Sequence, residues 1–198
     1  LLGIARTYNS ASTAVGAFGP GWSSMLDQRV VWDPAKPGLW LYLADGSAAF
    51  HGRNPDGSFD DGFGTTVTKI VDSGLPAGVS WRVTDANETV FDYDSTGRLI
   101  RIRDRDSHET VFSPRAEVVI DDGEGNQFPA YQQTITDTQA NRTLTVWWTS
   151  MAATATVAFV TTQPVNGEVF WWRYSYTGGN LTQACNPAVV HFGTDCER

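Results

Sequence analysis

The stretch Asp85-Ala86-Asn87-Glu88-Thr89-Val90-Phe91-Asp92-Tyr93-Asp94-Ser95-Thr96-Gly97-Arg98-Leu99-Ile100-Arg101-Ile102-Arg103-Asp104-Arg105-Asp106-Ser107-His108-Glu109-Thr110-Val111-Phe112 decides how this chain folds. Its first seven residues and its last seven share five identities at an offset of 21, among them Glu88-Thr89-Val90-Phe91 against Glu109-Thr110-Val111-Phe112. A period of that size holds about two strands of ~5–6 residues and two turns, so the repeating unit is a β-hairpin. A lone hairpin cannot bury a face and must stack on its neighbours. Gly97 stands where the chain reverses and φ turns positive. Asp94 opens that turn by accepting nearby backbone N–H groups. Tyr93 lays its ring over the turn while its hydroxyl needs a partner. Past the turn, alternation sets Ile100 and Ile102 on one face and Leu99, Arg101 and Arg103 on the other.

The same grammar extends outward. Of 198 residues, 41% are hydrophobic and 18% charged, which places the chain among globular domains rather than disordered ones. Glycine (19) and tryptophan (8) are frequent, and no stretch carries an apolar i, i+3, i+4, i+7 pattern with caps at both ends. The fold class is therefore all-β, built of antiparallel hairpin repeats, with residues 1–198 as a single β-repeat domain. Phe170, Trp172, Tyr174 and Tyr176 share one strand face, and Trp171, Arg173 and Ser175 the other. Thr143, Thr145 and Trp147 oppose Leu144, Val146 and Trp148 in the same way. Each tryptophan doublet thus places one indole on each face.

The segment Tyr93-Asp94 through Gly97-Arg98-Leu99 to Asp104 resembles the tyrosine–aspartate (YD) repeat of the RHS family. Tyr174 to Pro187 is similar but one residue shorter, with Thr177 in place of the aspartate. Thr136 to Val146 is a weaker echo, with Asn141 where the family has glycine. Arg6-Thr7-Tyr8-Asn9-Ser10 followed by Gly16-Ala17-Phe18-Gly19-Pro20-Gly21-Trp22 resembles the segment that opens RHS repeat regions. The resemblance marks residues 1–32 as an opening segment and 81–112 and 170–190 as the clearest repeats. It implies that the repeats wind into a curved or spiral sheet building a hollow shell.

The remaining chemistry is sparse. A net charge of −8 argues against a nucleic-acid binder, and no run approaches the ~18 apolar residues of a membrane span. Neither a metal site nor a cofactor is expected. His51, His108 and His191 lack ligand spacing, and His108 reads as a turn residue. The acidic loops Asn54 to Gly62 and Asp121 to Asn126 contain oxygen ligands suited to calcium but not the EF-hand spacing, so they read as solvated turns. No catalytic residue is assigned, although paired carboxylates keep a glycoside hydrolase fragment open.

Three further features point outside the cell. Cys185 and Cys196 are the two cysteines, and a bridge between them would hold a final strand, Val189 to Phe192. Asn87, Asn141 and Asn180 head Asn-x-Thr sequons in expected turns. Trp147, Trp148, Trp171 and Trp172 are candidate carbohydrate contacts if their rings lie open. The chain starts with leucine and has no secretory signal, so it reads as a mature or excised piece.

The expected function is that of a non-enzymatic structural module, extracellular or on the cell surface. A carbohydrate-binding domain is the alternative. Partners would be neighbouring repeats of a longer parent chain or copies of itself, joined edge to edge, with glycans as further candidates. Lysine, a common blocker of strand edges, is absent after Lys69. The apolar stretch Ala152 to Val160 and the alternating stretch Glu168 to Tyr176 are the expected open edges.

Overall fold

In a computed structural model of the chain, residues 2–60, 68–121 and 124–186 are described. Among these residues there is no helix, and none long and apolar enough to cross a membrane. The early strands are β1 (Arg6–Tyr8), β2 (Val15–Gly16), β3 (Gly19–Pro20), β4 (Trp22–Ser24), β5 (Arg29–Asp33), β6 (Gly38–Tyr42), β7 (Ala48–Arg53) and β8 (Phe59–Asp60). The repeat region holds β9 (Lys69–Val71), β10 (Trp81–Thr84), β11 (Val90–Tyr93), β12 (Leu99–Arg103) and β13 (Glu109–Phe112). Then come β14 (Ala116–Asp121), β15 (Gln127–Asp137), β16 (Arg142–Trp148), β17 (Val157–Thr162), β18 (Trp171–Thr177) and β19 (Asn180–Cys185).

The chain divides into two compact units. An N-proximal unit comprises Ile4–Thr7 and Ser23–Phe112; a C-proximal unit comprises Leu1–Gly3, Tyr8–Trp22 and Ser113–Arg198. In the N-proximal unit, β9 to β13 lie side by side in sequence order and antiparallel. Strands β10 to β13 are consecutive neighbours, as the hairpin repeat requires. The expectation of a single sheet is corrected: β5 to β8 form a four-stranded sheet of their own. Their residues Val30, Leu39, Leu41 and Phe59 are buried, as are Ile70, Val83, Tyr93 and Leu99 of the repeat strands. In the C-proximal unit, β14 pairs with β15, and β15 to β19 follow one another antiparallel. Its core holds Ile135, Leu144, Val146, Trp148, Val157 and Val160, with Phe18 from the opening segment.

Three sequence expectations need correction. The 21-residue offset is not the structural period. Thr84 pairs with Val90 and Arg103 with Glu109, so Val90 is equivalent to Glu109 and Tyr93 to Phe112, 19 positions apart. Burial agrees, because Tyr93 and Phe112 are both buried. The slip is two residues, which preserves the facing of side chains and hides the error from a period-2 reading. Second, Leu99 does not share a face with Arg101. A bulge at Tyr93 pairs Tyr93 with Leu99 but Asp92 with Arg101, moving Leu99 to the core face. Third, β17 and β18 are not edges: each pairs on both sides. Residues Ala152 to Ala155 form a turn, and the strand starts at Val157.

Candidate functional site

The repeat turns of the N-proximal unit share one geometry. At Asp85, Asp94 and Asp104 the backbone N–H donates to the carbonyl four residues on, while the N–H three residues on donates back. The aspartate Oδ1 accepts the N–H groups of the second and fourth following residues at 2.8–3.1 Å. The residue three positions on has positive φ: 63° at Glu88, 80° at Gly97 and 66° at Ser107. Leu43 and Asn54 open loops with the same backbone bonds, closed by Gly46 and Gly57 at φ 87°. The carboxylate therefore does the work that glycine alone would leave undone: it pins a left-handed residue by fixing the amides on both sides.

Tyr93 and Gly97, at the two ends of one such turn, face residues near the N-terminus. Tyr93 is fully buried, and its hydroxyl accepts a hydrogen bond from Gln28 Nε2 at 2.8 Å. Burial, offset in part by that bond, pushes the phenol far above its usual range and keeps it neutral. The Gly97 carbonyl accepts the Val30 N–H at 2.9 Å. A Cβ on Gly97 would overlap the Val30 carbonyl oxygen, so glycine is required there for close approach as well as for φ. On the opposite sheet face Asp92, 1% exposed, bonds Arg82 and Arg101. Burial works to raise its pKa, but the hydrogen bonds from Arg82 and then Arg101 outweigh this and hold it below the usual carboxylate range. Neither Gln28 nor the Arg82–Asp92–Arg101 group was singled out from sequence; arginine at structurally equivalent positions of β10 and β12 was the signal available.

A cleft of about 830 Å³ lies in the same unit, lined by Gln28, Leu41, His51, Val83, Asp85 and Tyr93 among others. His51 is 4% exposed there. Asp85 lines it too, but its carboxylate is engaged by the Asn87 and Thr89 amides of its turn. His108 lies exposed beside Asp104 at 3.4 Å, a turn position as expected, and His191 lies outside the described residues. Of the two acidic loops, Asp56 accepts both the N–H and the hydroxyl of Ser58. Positions 61–62 and 122–123 lie outside the described residues.

In the C-proximal unit the tryptophan doublets do place one indole on each face. Trp148 is 4% exposed, with the Arg115 guanidinium 3.3 Å from its ring centre. Trp172 lies opposite the buried Val160. Trp147 and Trp171 stand on the other face, joined through Phe159, which the sequence reading did not select. The ring centroids are 5.4 Å apart (Trp147–Phe159, interplanar 28°) and 5.2 Å apart (Phe159–Trp171, 36°). Stacked on one another, these rings turn much of their faces inward. Sugar stacking needs an open ring face, which favours Trp171, 43% exposed. The sequons Asn87, Asn141 and Asn180 are all exposed, and Asn141 has φ 48°, a left-handed conformation that asparagine tolerates better than most residues. Cys185 ends β19 opposite Arg173; Cys196 and the stretch Val189 to Phe192 lie outside the described residues.

The opening segment also enters the C-proximal unit. β2 and β3 form a short hairpin whose Phe18 is fully buried, its ring 4.9 Å from that of Tyr174. The Ala17 carbonyl accepts the Val157 N–H at 2.7 Å.

Residues 1–50 match a family model described as Domain of unknown function (DUF6531). No curated protein matches the chain. The matched stretch contains Phe18, Gln28 and Val30, the opening-segment residues just placed in the cores of the two units.

Proposed function

We propose that this chain is a non-enzymatic structural β-repeat module of an extracellular or cell-surface RHS-type protein, joined by strand pairing to neighbouring repeats or other chains. The observation that carries this reading is the use made of the signature residues. Tyr93, Asp94 and Gly97 are engaged in locking a turn and seating the opening segment, where a catalytic or ligand-binding group would have to stay available. Further support comes from the match over residues 1–50, which coincides with the segment resembling the start of RHS repeat regions. Exposed sequons, two cysteines and a lysine-poor surface favour the extracellular setting.

Hydrogen exchange compares the isolated 198-residue chain with the same residues inside the longest natural protein that contains them. Slower exchange at strand edges in the longer protein is the expected result. Unchanged edges, or turnover of a polysaccharide by the isolated chain, would remove the proposal. Glycan-array binding that is lost in Trp171→Ala would instead establish the carbohydrate-binding reading.

A further inference from the structure

Strand β14 pairs with β15 through six residue pairs, from Ala116 opposite Gln132 to Asp121 opposite Gln127, without a register shift. Among the described residues no strand pairs with its other side. Natural edges are blunted by lysine, proline, bulges or shortness. β14 has six residues, neither lysine nor proline, and an even ladder. It also exposes an apolar residue on each face. Val119, 65% exposed, lies opposite Pro129; Ile120, 39% exposed, lies opposite Phe128, 49% exposed. An added strand would cover apolar surface on both sides of the ribbon while extending the sheet on the side of β14 away from β15.

We propose that β14 is a docking edge for an extended segment of another polypeptide in which three apolar residues are flanked by two basic ones. This deepens the strand-pairing reading above and rests on it. Along β14, Glu117, Val119 and Asp121 share one face and Val118 and Ile120 the other. A strand centred opposite Val119 therefore meets apolar residues at three positions and a carboxylate at each end. Opposite charges directly across a ladder are favourable and like charges unfavourable.

The same rule argues against a second copy of this chain. Outward-facing residues pair with outward-facing residues, so the two self-pairing registers of greatest overlap centre on Val118 or Val119. Centring on Val119 sets Glu117 against Asp121 twice. Centring on Val118 sets Asp121 against Arg115, but that guanidinium is held over the Trp148 ring and donates to the Ala152 carbonyl at 2.9 Å. The net charge of −8 adds general repulsion between copies.

The test is hydrogen exchange of the full chain with a blocked synthetic peptide, glycine-lysine-valine-isoleucine-valine-arginine-glycine. The peptide is expected to slow exchange of amides 116–121, less so at high salt. Glu117→Lys should weaken binding roughly tenfold and restore it for the peptide in which glutamate replaces the arginine, the flank that faces position 117. Val119→Lys should also weaken it, and unchanged exchange over 142–185 verifies that both variants fold. Protection of a different strand, or none, overturns the proposal. Concentration-dependent protection of 116–121 without peptide assigns the edge to a second copy and also overturns it. In the longer natural protein, protection at β9 or β19 but not at β14 would sink this inference and leave the module reading standing. Absence of protection at every edge there sinks the module reading, while the peptide result still decides the edge chemistry.

Discussion

The hairpins of β10 to β13 and those of β15 to β19 solve one problem in two ways. The first set uses strands of four or five residues and five-residue loops opened by aspartate. The second uses strands of up to 11 residues, joined by connections that run from two residues (178–179) to eight (149–156 and 163–170). Val165 and Glu168 exchange both backbone bonds around Asn166-Gly167, at φ 54° and 85°, and Gly178-Gly179 closes β18 onto β19 at φ 56° and 82°. Two positive φ values in a two-residue loop suit the twist of a hairpin without side-chain help. Register is thus set by turns in the first set. In the second it is set by long faces, with Ile135, Val146 and Val160 inward and the Trp147–Phe159–Trp171 row outward. Short strands bury too little to specify register, so the turn has to carry it.

Substituting a turn glycine in each set is the strongest way to break this comparison. Gly97→Ala should cost about 3–5 kcal/mol, because the new methyl overlaps the Val30 carbonyl at positive φ. Gly178→Ala, with nothing within 4 Å of the added atom, should cost only about 1 kcal/mol, the backbone share alone. Urea unfolding measures both, and equal losses would erase the distinction.

Charge separates the regions next. Asp92→Asn should cost about 2–4 kcal/mol by leaving two arginines without their carboxylate. The folded-state pKa of Asp92 is depressed, so its stabilisation is present above the unfolded value of about 4 and lost as pH falls through the folded one. Exchange within 81–112 should therefore accelerate between pH 5 and 2 more than exchange within 142–185. The asparagine variant should flatten that response, and parallel acceleration of both segments would count against the network.

The Cys185–Cys196 bridge is expected to show as a loss of two hydrogens in non-reduced mass spectrometry. Reduction should cost about 2–3 kcal/mol, loosening β19 rather than the repeat turns. Quantitative labelling of both thiols in native protein would refute it. The smallest contrast is between two tyrosines. Tyr93→Phe leaves the Gln28 amide, 6% exposed, without its partner, a loss of about 1–2 kcal/mol. Tyr176→Phe removes a bond to the Val157 carbonyl from a half-buried site and should cost about half as much. A larger loss at Tyr176 would show that the long-strand region also depends on its polar contacts.

The hairpin grammar was legible because period-2 alternation, aspartate and glycine act locally. Asp94 and Gly97 occupy the positions their chemistry demands, and the tryptophan doublets split between faces as alternation requires. The repeat offset was misread because a stronger string match at 21 lies two residues from the true 19, and alternation cannot detect a shift of two. The open edge was misplaced for a related reason. Lysine-poor, apolar sequence describes the interior strands β17 and β18 as well as it describes β14.

The sequence by itself determined the all-β class, the consecutive hairpins of 81–112 and, Leu99 at the bulge apart, the facing of their side chains, since each follows from interactions among near neighbours. The partners of those hairpins were decided only in the tertiary structure. Gln28 meets Tyr93 across 65 positions, Val30 meets Gly97, Phe18 meets Tyr174, and among the described residues no strand lies on the outer side of β14. Such contacts depend on which buried surfaces fit one another in three dimensions, and neither spacing nor periodicity along the chain encodes that fit.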